Sequence, residues 1–172
     1  MSSFKRTAGQ YAAAQPDRSV WVSANAGTGK TRVLVDRIAR LLLEGAQPEK
    51  ILCLTFTKTA AAEMSERINA QLGQWAVMDD KALIEDIRLL SQREPDEAMQ
   101  KTARRLFARV LDVPGGLKIR TIHSFCESLI ARFPIEAGVA PHFSVIDERT
   151  TADLLAEARE RMLTQTMLNP ES

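Results

Sequence analysis

The stretch SANAGTGKT, residues 23–31, constrains the fold more than any other part of the chain. It follows the short apolar segment SVWVSA (19–24) and precedes residues 30–44, where apolar side chains recur at helical spacing. A buried strand, a glycine-rich loop and an amphipathic helix in this order predict an α/β protein with a phosphate-binding loop. Gly45 stands where a glycine cap would end that helix.

The loop matches the pattern G-x-x-x-x-G-K-[ST] from Ala24 to Thr31, with alanine in place of the first glycine. Its backbone amides and the following helix N-terminus would point at the β-phosphate. Lys30 would bridge the β- and γ-phosphates and Thr31 would ligate Mg²⁺, so these two are the candidate catalytic residues. A glycine-rich turn that binds nothing would explain the glycines but not the Lys-Thr pair. The residues expected around the nucleotide are Ala24, Asn25, Ala26, Gly27, Thr28, Gly29, Lys30 and Thr31.

The rest of the chain alternates between strand and helix patterns. ILCLTF (51–56) is apolar throughout, which is typical of a parallel strand covered on both faces. Further strands are predicted at 117–122 and, as a short one, at 143–147, and helices at 58–72, 124–132 and 151–168. This alternation predicts parallel strands joined by right-handed crossovers.

Residues 73–113 differ, because they are charged, helical in period and without strand signals. They predict a helical insertion into the α/β layer, closed by the VPGG turn, over residues 73–116. The alternative is that these helices simply pack on the sheet. In the preceding helix, Met64, Ile68 and Leu72 form an apolar stripe expected in the core, and Glu63 and Arg67 can pair across one turn.

The composition bounds the class of protein. Hydrophobic residues make up 45% and charged residues 26%, which is ordinary for a globular protein, and a 5% aromatic content predicts an aliphatic core. The net charge of +1 favours no particular partner. Cys53 and Cys126 lie in apolar stretches without CxxC spacing, and we expect buried free thiols of a reducing compartment. Without a signal-peptide core or an apolar run of about 18 residues, a cytoplasmic location is expected.

Three features resemble the UvrD/Rep-like superfamily 1 helicases. ILCLTFTKTAAAEMSERI (51–68) resembles their motif Ia, and TIHSFCESLIARFP (121–134) is similar to their motif Ic, T-x-H-[SAG]-F. Gln10 matches the glutamine of the Q-motif ahead of the phosphate-binding loop. WVSANAGTGKT, LCLTFTKTAAAEM, GGLKIRTIHSFCE and FPIEAGV together resemble the N-terminus of the AddA family, the helicase–nuclease subunits of bacterial double-strand-break repair, in its alphaproteobacterial form.

This resemblance implies a RecA-like P-loop NTPase fold with an incomplete parallel sheet. Residues 1–172 would be the N-terminal part of the first motor domain, with motifs II to VI, the second motor domain and the nuclease domain outside the chain. The implied cofactors are ATP and Mg²⁺. The implied partners are single-stranded DNA, double-stranded DNA ends and an AddB-type subunit in a heterodimer, with no membrane. On its own, the chain is expected to bind nucleotide at best.

The resemblance also assigns roles to individual residues. Gln10 would read the adenine edge with its amide, and Arg32 would lie near the base. Phe56 would stack on an unpaired base while neighbouring hydroxyls bond phosphates. A core position for Phe56 and a structural hydrogen-bonding role for His123 are the alternatives. The implied DNA-binding residues are Thr55, Phe56, Thr57, Thr121, His123 and Ser124.

Other interpretations remain open. FSVIDERT offers an apolar segment followed by Asp147 and Glu148, as a Walker B site would, but a helix cap at Asp147 is the preferred interpretation. A complete small P-loop phosphotransferase would need a lid of clustered arginines, for which Arg104, Arg105 and Arg109 are the candidates. A non-catalytic ATP-gated interaction module is the third possibility.

Overall fold

The computed structural model describes residues 6–25 and 27–168, so Ala26 of the loop lies outside the described residues. The chain divides into two compact units, Met1–Phe125 and Cys126–Ser172. The elements, in chain order, are α1 (Ala8–Ala13), α2 (Lys30–Leu43), a 3-10 turn (Pro48–Lys50), β1 (Leu52–Thr55), α3 (Lys58–Val77), α4 (Asp80–Ser91), α5 (Glu97–Leu111), β2 (Lys118–Thr121), α6 (Ile122–Arg132) and α7 (Glu148–Leu168).

The predicted parallel pairing is confirmed for β1 and β2, which run in register from Leu52 opposite Lys118 to Thr55 opposite Thr121. Both strands therefore end at the same edge of the sheet. The inner face of the sheet packs on the helical core through Cys53 and Ile119. The expected cover on both faces is wrong, because Leu52 and Leu54 on the other face are each 43% exposed.

The predicted strands at 19–24 and 143–147 are also wrong. Neither segment has strand structure, and within the described residues the sheet consists of β1 and β2. A strand needs a neighbour to bond its N–H and C=O groups, and here neither segment pairs with one. Val20 and Val22 stay 41% and 42% exposed, and Trp21 is 93% exposed.

The core of the first unit lies between four helices. Met64, Ile68 and Leu72 of α3 are buried as predicted, and the core is aliphatic except for Trp75. The helical pattern at 73–113 is confirmed by α4 and α5, whose apolar faces enter the same core as α2 and α3. The predicted pair of Glu63 and Arg67 also forms. The other buried residues of this core are Val35, Ile38, Ala39, Leu42, Leu43, Ile51, Leu83, Ile87, Leu90, Ala103, Leu106 and Val110.

Local signals set the helix ends. Gly45 has a φ of +94°, and the amides of Gly45 and Ala46 bond the Leu42 and Leu41 carbonyls at the end of α2. This is a Schellman motif, which confirms the predicted cap. Asp147 accepts a 2.7 Å hydrogen bond from the Thr150 amide at the start of α7, so the helix-cap interpretation is confirmed. That hydrogen bond lowers the pKa of the Asp147 carboxyl.

Both cysteines are free, but only one is shielded from solvent. Cys53 on the inner face of β1 is half-buried, and burial raises the pKa of its thiol. The expected burial of Cys126 is wrong, because this residue lies exposed on α6. In the described part of the chain, no helix combines the length and the apolar character needed to cross a membrane.

Candidate nucleotide-binding site and adjoining sheet edge

The glycine-rich loop leads directly into α2. Gly27 and Gly29 have φ values of +79° and +87°, a region that side-chain-bearing residues rarely adopt. Gly29 is the N-cap residue of α2, and no side chain caps the helix there. The first amides of α2 are therefore available to an anionic ligand, as expected of a loop that holds phosphate.

Lys30 folds back over this loop. Its ammonium donates hydrogen bonds to the carbonyls of Ala24 at 2.7 Å and Asn25 at 2.6 Å. The Thr28 hydroxyl donates to the same Asn25 carbonyl at 2.7 Å, which closes the turn. The Lys30 ammonium thus lies at the loop with carbonyl partners that a triphosphate could replace, since charged phosphate oxygens are stronger acceptors. Thr31 is half-buried in the first turn of α2.

Gln10 lies beside the loop, 20 residues before Lys30 in sequence. Its amide nitrogen donates to the Thr28 carbonyl at 3.2 Å, and its amide oxygen accepts from the Thr7 amide at 2.9 Å in a capping box. A Cβ on Gly29 would approach the Gln10 nitrogen to 3.3 Å, so the glycine permits this contact. A primary amide carries two N–H groups and two acceptor lone pairs. Gln10 therefore keeps one donor and one acceptor for a ligand.

Arg32 points away from this group of loop contacts. It is half-buried and, with Arg6 and Asp36, lines a groove of about 720 Å³ between α2, α3 and α4. Arg6 and Asp36 form a two-pronged ion pair in which Nε and Nη2 donate to the carboxylate at 2.7 and 2.9 Å. The hydrogen bond to Asp36 raises the pKa of Arg6. Sequence reasoning missed this pair, because an isolated Arg and Asp separated by 30 residues carry no local signal.

The carboxyl ends of β1 and β2 form the second part of the site. Phe56 follows β1 directly and is 81% exposed, so it is not a core residue. The Thr57 hydroxyl accepts from the Ala60 amide at 3.1 Å and caps α3. Thr55 lies opposite Thr121 in the sheet. The arrangement leaves an uncovered aromatic ring at the sheet edge, beside the start of a helix.

The residues of the second motif separate into buried and exposed ones. Thr121 is 8% exposed, and its hydroxyl donates to the Ser124 hydroxyl at 3.1 Å and accepts from the Ser124 amide at 3.1 Å. The Ser124 hydroxyl in turn donates to the Thr121 carbonyl at 3.0 Å. His123 in the same turn is exposed. Thr121 and Ser124 therefore fix the first turn of α6, on which His123 reaches solvent.

A recess of about 260 Å³ opens at this sheet edge, and two basic residues help to line it. Lys58 is the first residue of α3, and Arg120 precedes Thr121 at the end of β2. Sequence reasoning missed both, although each directly adjoins a residue that was singled out. The remaining lining residues are Ala61, Ile119, Thr121 and Ser124.

The arginines of the lid that a phosphotransferase would need are not grouped for that purpose. Arg104 donates to the carbonyls of Trp75 at 3.0 Å and of Met78, and it pairs with Asp80 at 2.6 Å. It therefore holds the C-terminal end of α3. Arg105 and Arg109 are exposed on α5, the same helix.

Comparison with known families gives a match to the UvrD/REP helicase N-terminal domain over residues 6–171. Similar curated proteins are named as the AddA component of an ATP-dependent helicase/nuclease. The one from Lactobacillus gasseri is 38% identical over 140 residues, which is 81% of this chain and 10% of the relative. The one from Enterococcus faecalis is 32% identical over 141 residues, 82% of this chain and 10% of the relative.

A relative of the same name from Desulforamulus reducens is 38% identical over 173 residues, 96% of this chain and 12% of the relative. The chain thus spans about a tenth of the length of these curated relatives.

Proposed function

Because the chain belongs to the UvrD/REP helicase N-terminal domain family, we propose that it is the ATP-binding N-terminal segment of an ATP-dependent DNA helicase and nuclease. The observation that carries this proposal is the contact of Gln10 with the loop. A residue predicted to read the base lies 3.2 Å from the Thr28 carbonyl, within the loop predicted to hold the phosphates. One bound nucleotide can therefore meet both.

The loop suits a triphosphate with Mg²⁺. The uncapped N-terminus of α2 and the Lys30 ammonium supply donors and positive charge, and the Thr31 hydroxyl is a hard oxygen ligand. When bound, Mg²⁺ neutralises charge on the β- and γ-phosphates. Ala24, Asn25, Ala26, Gly27, Thr28 and Gly29 would form the wall of the cradle, and Arg32 would approach the base from the first turn of α2.

The donor and the acceptor left on Gln10 match the adjoining amino group and ring nitrogen of adenine. Guanine presents an oxygen where adenine presents that amino group. A preference for ATP over GTP therefore follows from the Gln10 amide once its orientation is fixed.

The sheet edge suits single-stranded DNA. The exposed Phe56 ring offers a stacking surface for a base, and Lys58 and Arg120 offer charge to the phosphates on either side. Thr55, Thr57, His123 and Ser124 would add hydrogen bonds to the backbone. A contact from Thr121 requires its hydroxyl to exchange the bond to Ser124 for one to phosphate.

The relatives' name supports a wider role for the protein to which this segment belongs. We place it in double-strand-break repair and recombination, acting on DNA ends together with an AddB-type partner. Hydrolysis and translocation need a water-positioning residue, an arginine finger and a second motor domain, none of which is identified in the described residues.

Equilibrium binding tests the nucleotide site. The 172-residue chain is titrated with ATP and Mg²⁺ by isothermal calorimetry, alongside Lys30→Ala and the control Lys50→Ala. Lys50 is an exposed lysine in the turn after α2. Loss of the charge-assisted bonds of Lys30 is expected to weaken binding about 10- to 100-fold.

The control is expected to bind as the unmodified chain does. Equal affinities for Lys30→Ala and Lys50→Ala would show that nucleotide does not occupy the loop.

A further inference from the structure

Gln10 lies on a helix that cannot hold its own position. α1 has six residues and buries none of them, and helices of this length are unstable alone in water. The amide of Gln10 can read a base only if α1 stays at a fixed place beside the loop. The contacts that position α1 therefore control what Gln10 can do.

Arg37 of α2 holds the chain immediately after α1. Its guanidinium donates to the carbonyls of Ala13 at 3.4 Å, of Gln15, and of Arg18 at 2.7 Å. The planar fork of an arginine can serve several carbonyls at once, which a lysine ammonium on its flexible stem does less well. One side chain of α2 thus fixes the turn from residue 13 to residue 18.

Neighbouring residues of α2 hold α1 at other points. Asp36 binds Arg6, which precedes α1, through the two-pronged ion pair. Arg40 donates to the Tyr11 carbonyl at 3.4 Å and to the Gln15 side chain at 2.8 Å. Since α2 also begins at Lys30, one rigid helix carries the phosphate-binding loop at its start and the clamp on α1 one to three turns later.

We propose that Arg37 is a positioning residue for base selectivity: by holding residues 13–18 against α2, it keeps the Gln10 amide aligned with the phosphate-binding loop. This inference rests on the proposed nucleotide site and deepens it. Arg37 touches no nucleotide. It acts through Gln10, so its removal is expected to change the choice between bases and to leave phosphate binding intact.

Arg37 is the appropriate residue to change. Arg40 is only 3% exposed, and its substitution would disturb the core, whereas Arg37 is half-buried. Arg104 provides a matched control, since it too is a half-buried arginine that donates to backbone carbonyls at a helix end. Arg37→Lys and Arg104→Lys are thus the same substitution in the same kind of clamp. Only the first clamp holds α1.

The experiment measures dissociation constants of the 172-residue chain for ATP, GTP and inorganic tripolyphosphate. Tripolyphosphate reports on the phosphate cradle alone, and the ratio of the GTP constant to the ATP constant reports on the base. The variants are Arg37→Lys, Arg37→Gln, Arg104→Lys, Gln10→Ala and the double variant Gln10→Ala/Arg37→Lys.

Both Arg37 variants are expected to lower the ratio by at least about threefold, with unchanged affinity for tripolyphosphate. Arg104→Lys is expected to keep the ratio of the unmodified chain. The double variant is expected to have the same ratio as Gln10→Ala, because a residue that acts through Gln10 adds nothing once Gln10 is gone.

Unchanged ratios in the Arg37 variants would overturn the inference and leave the nucleotide site standing. Loss of tripolyphosphate binding in both Arg37 variants would overturn it as well, since Arg37 would then support the whole loop. Failure of the unmodified chain to bind either nucleotide would instead reject the proposed function, and this inference with it.

Discussion

Phe56 is an aromatic ring left 81% exposed at the end of a strand, which is unusual for a residue that could have entered the core. If the ring stacks on DNA bases, Phe56→Ala is expected to weaken binding of single-stranded DNA by about 1–3 kcal/mol. Fluorescence anisotropy with a labelled oligothymidine at low salt measures this loss. Phe56→Tyr keeps the stacking surface and is expected to bind normally.

Phe133→Ala is the second control for Phe56, because Phe133 is also an exposed phenylalanine, at 49%, outside the proposed DNA contacts. A comparable loss of DNA binding in both alanine variants would assign the effect to general hydrophobicity. The stacking role of Phe56 would then be withdrawn.

At single residues, sequence reasoning found candidates more readily than partners. The spacing of Gly27, Gly29 and Lys30 predicts a loop because the backbone there needs positive φ, and the structure has it. The hydroxyl of Thr121 looked available for DNA, but it is engaged with Ser124. Such a bond depends on side-chain geometry that spacing alone does not determine.

The helices of the first unit are defined by one buried face each. In α5, Leu106 is fully buried and Leu111 is 63% exposed. Leu106→Ala is expected to lower the free energy of unfolding by about 2–5 kcal/mol, since it leaves a cavity among α2, α3 and α5. Urea denaturation followed by circular dichroism measures the change.

Leu111→Ala is the matched control, with the same substitution in the same helix. It is expected to change the free energy of unfolding by no more than about 0.5 kcal/mol. Equal destabilisation by the two substitutions would contradict the packing described for α5.

Helices were predicted better than strands for a physical reason. The apolar stripe of α3 or α5 is periodic within one segment, and its backbone bonds are local. A strand bonds a partner that is distant in sequence, so composition can nominate a strand without a neighbour to complete it. Residues 19–24 have the composition of a strand and yet pair with none in the described chain.

At the scale of the molecule, the described residues supply a cradle for phosphates, a base-reading amide and one edge of a DNA track. These three parts come from α2, α1 and the two strands, and all lie in the first unit. Binding and unwinding are therefore separable properties of this chain. Binding needs only groups that are already present, whereas unwinding needs cycles of closure driven by hydrolysis.

We expect the 172-residue chain to show negligible strand displacement even where it binds ATP. Transition-state stabilisation of phosphoryl transfer needs a positioned water and positive charge on the γ-phosphate in addition to the cradle. A fluorescence-quenching assay on a duplex with a single-stranded tail, with ATP and Mg²⁺, measures displacement against Lys30→Ala as background. Displacement above that background would mean that this part of the protein contains a complete motor, contrary to the division of labour inferred from its site.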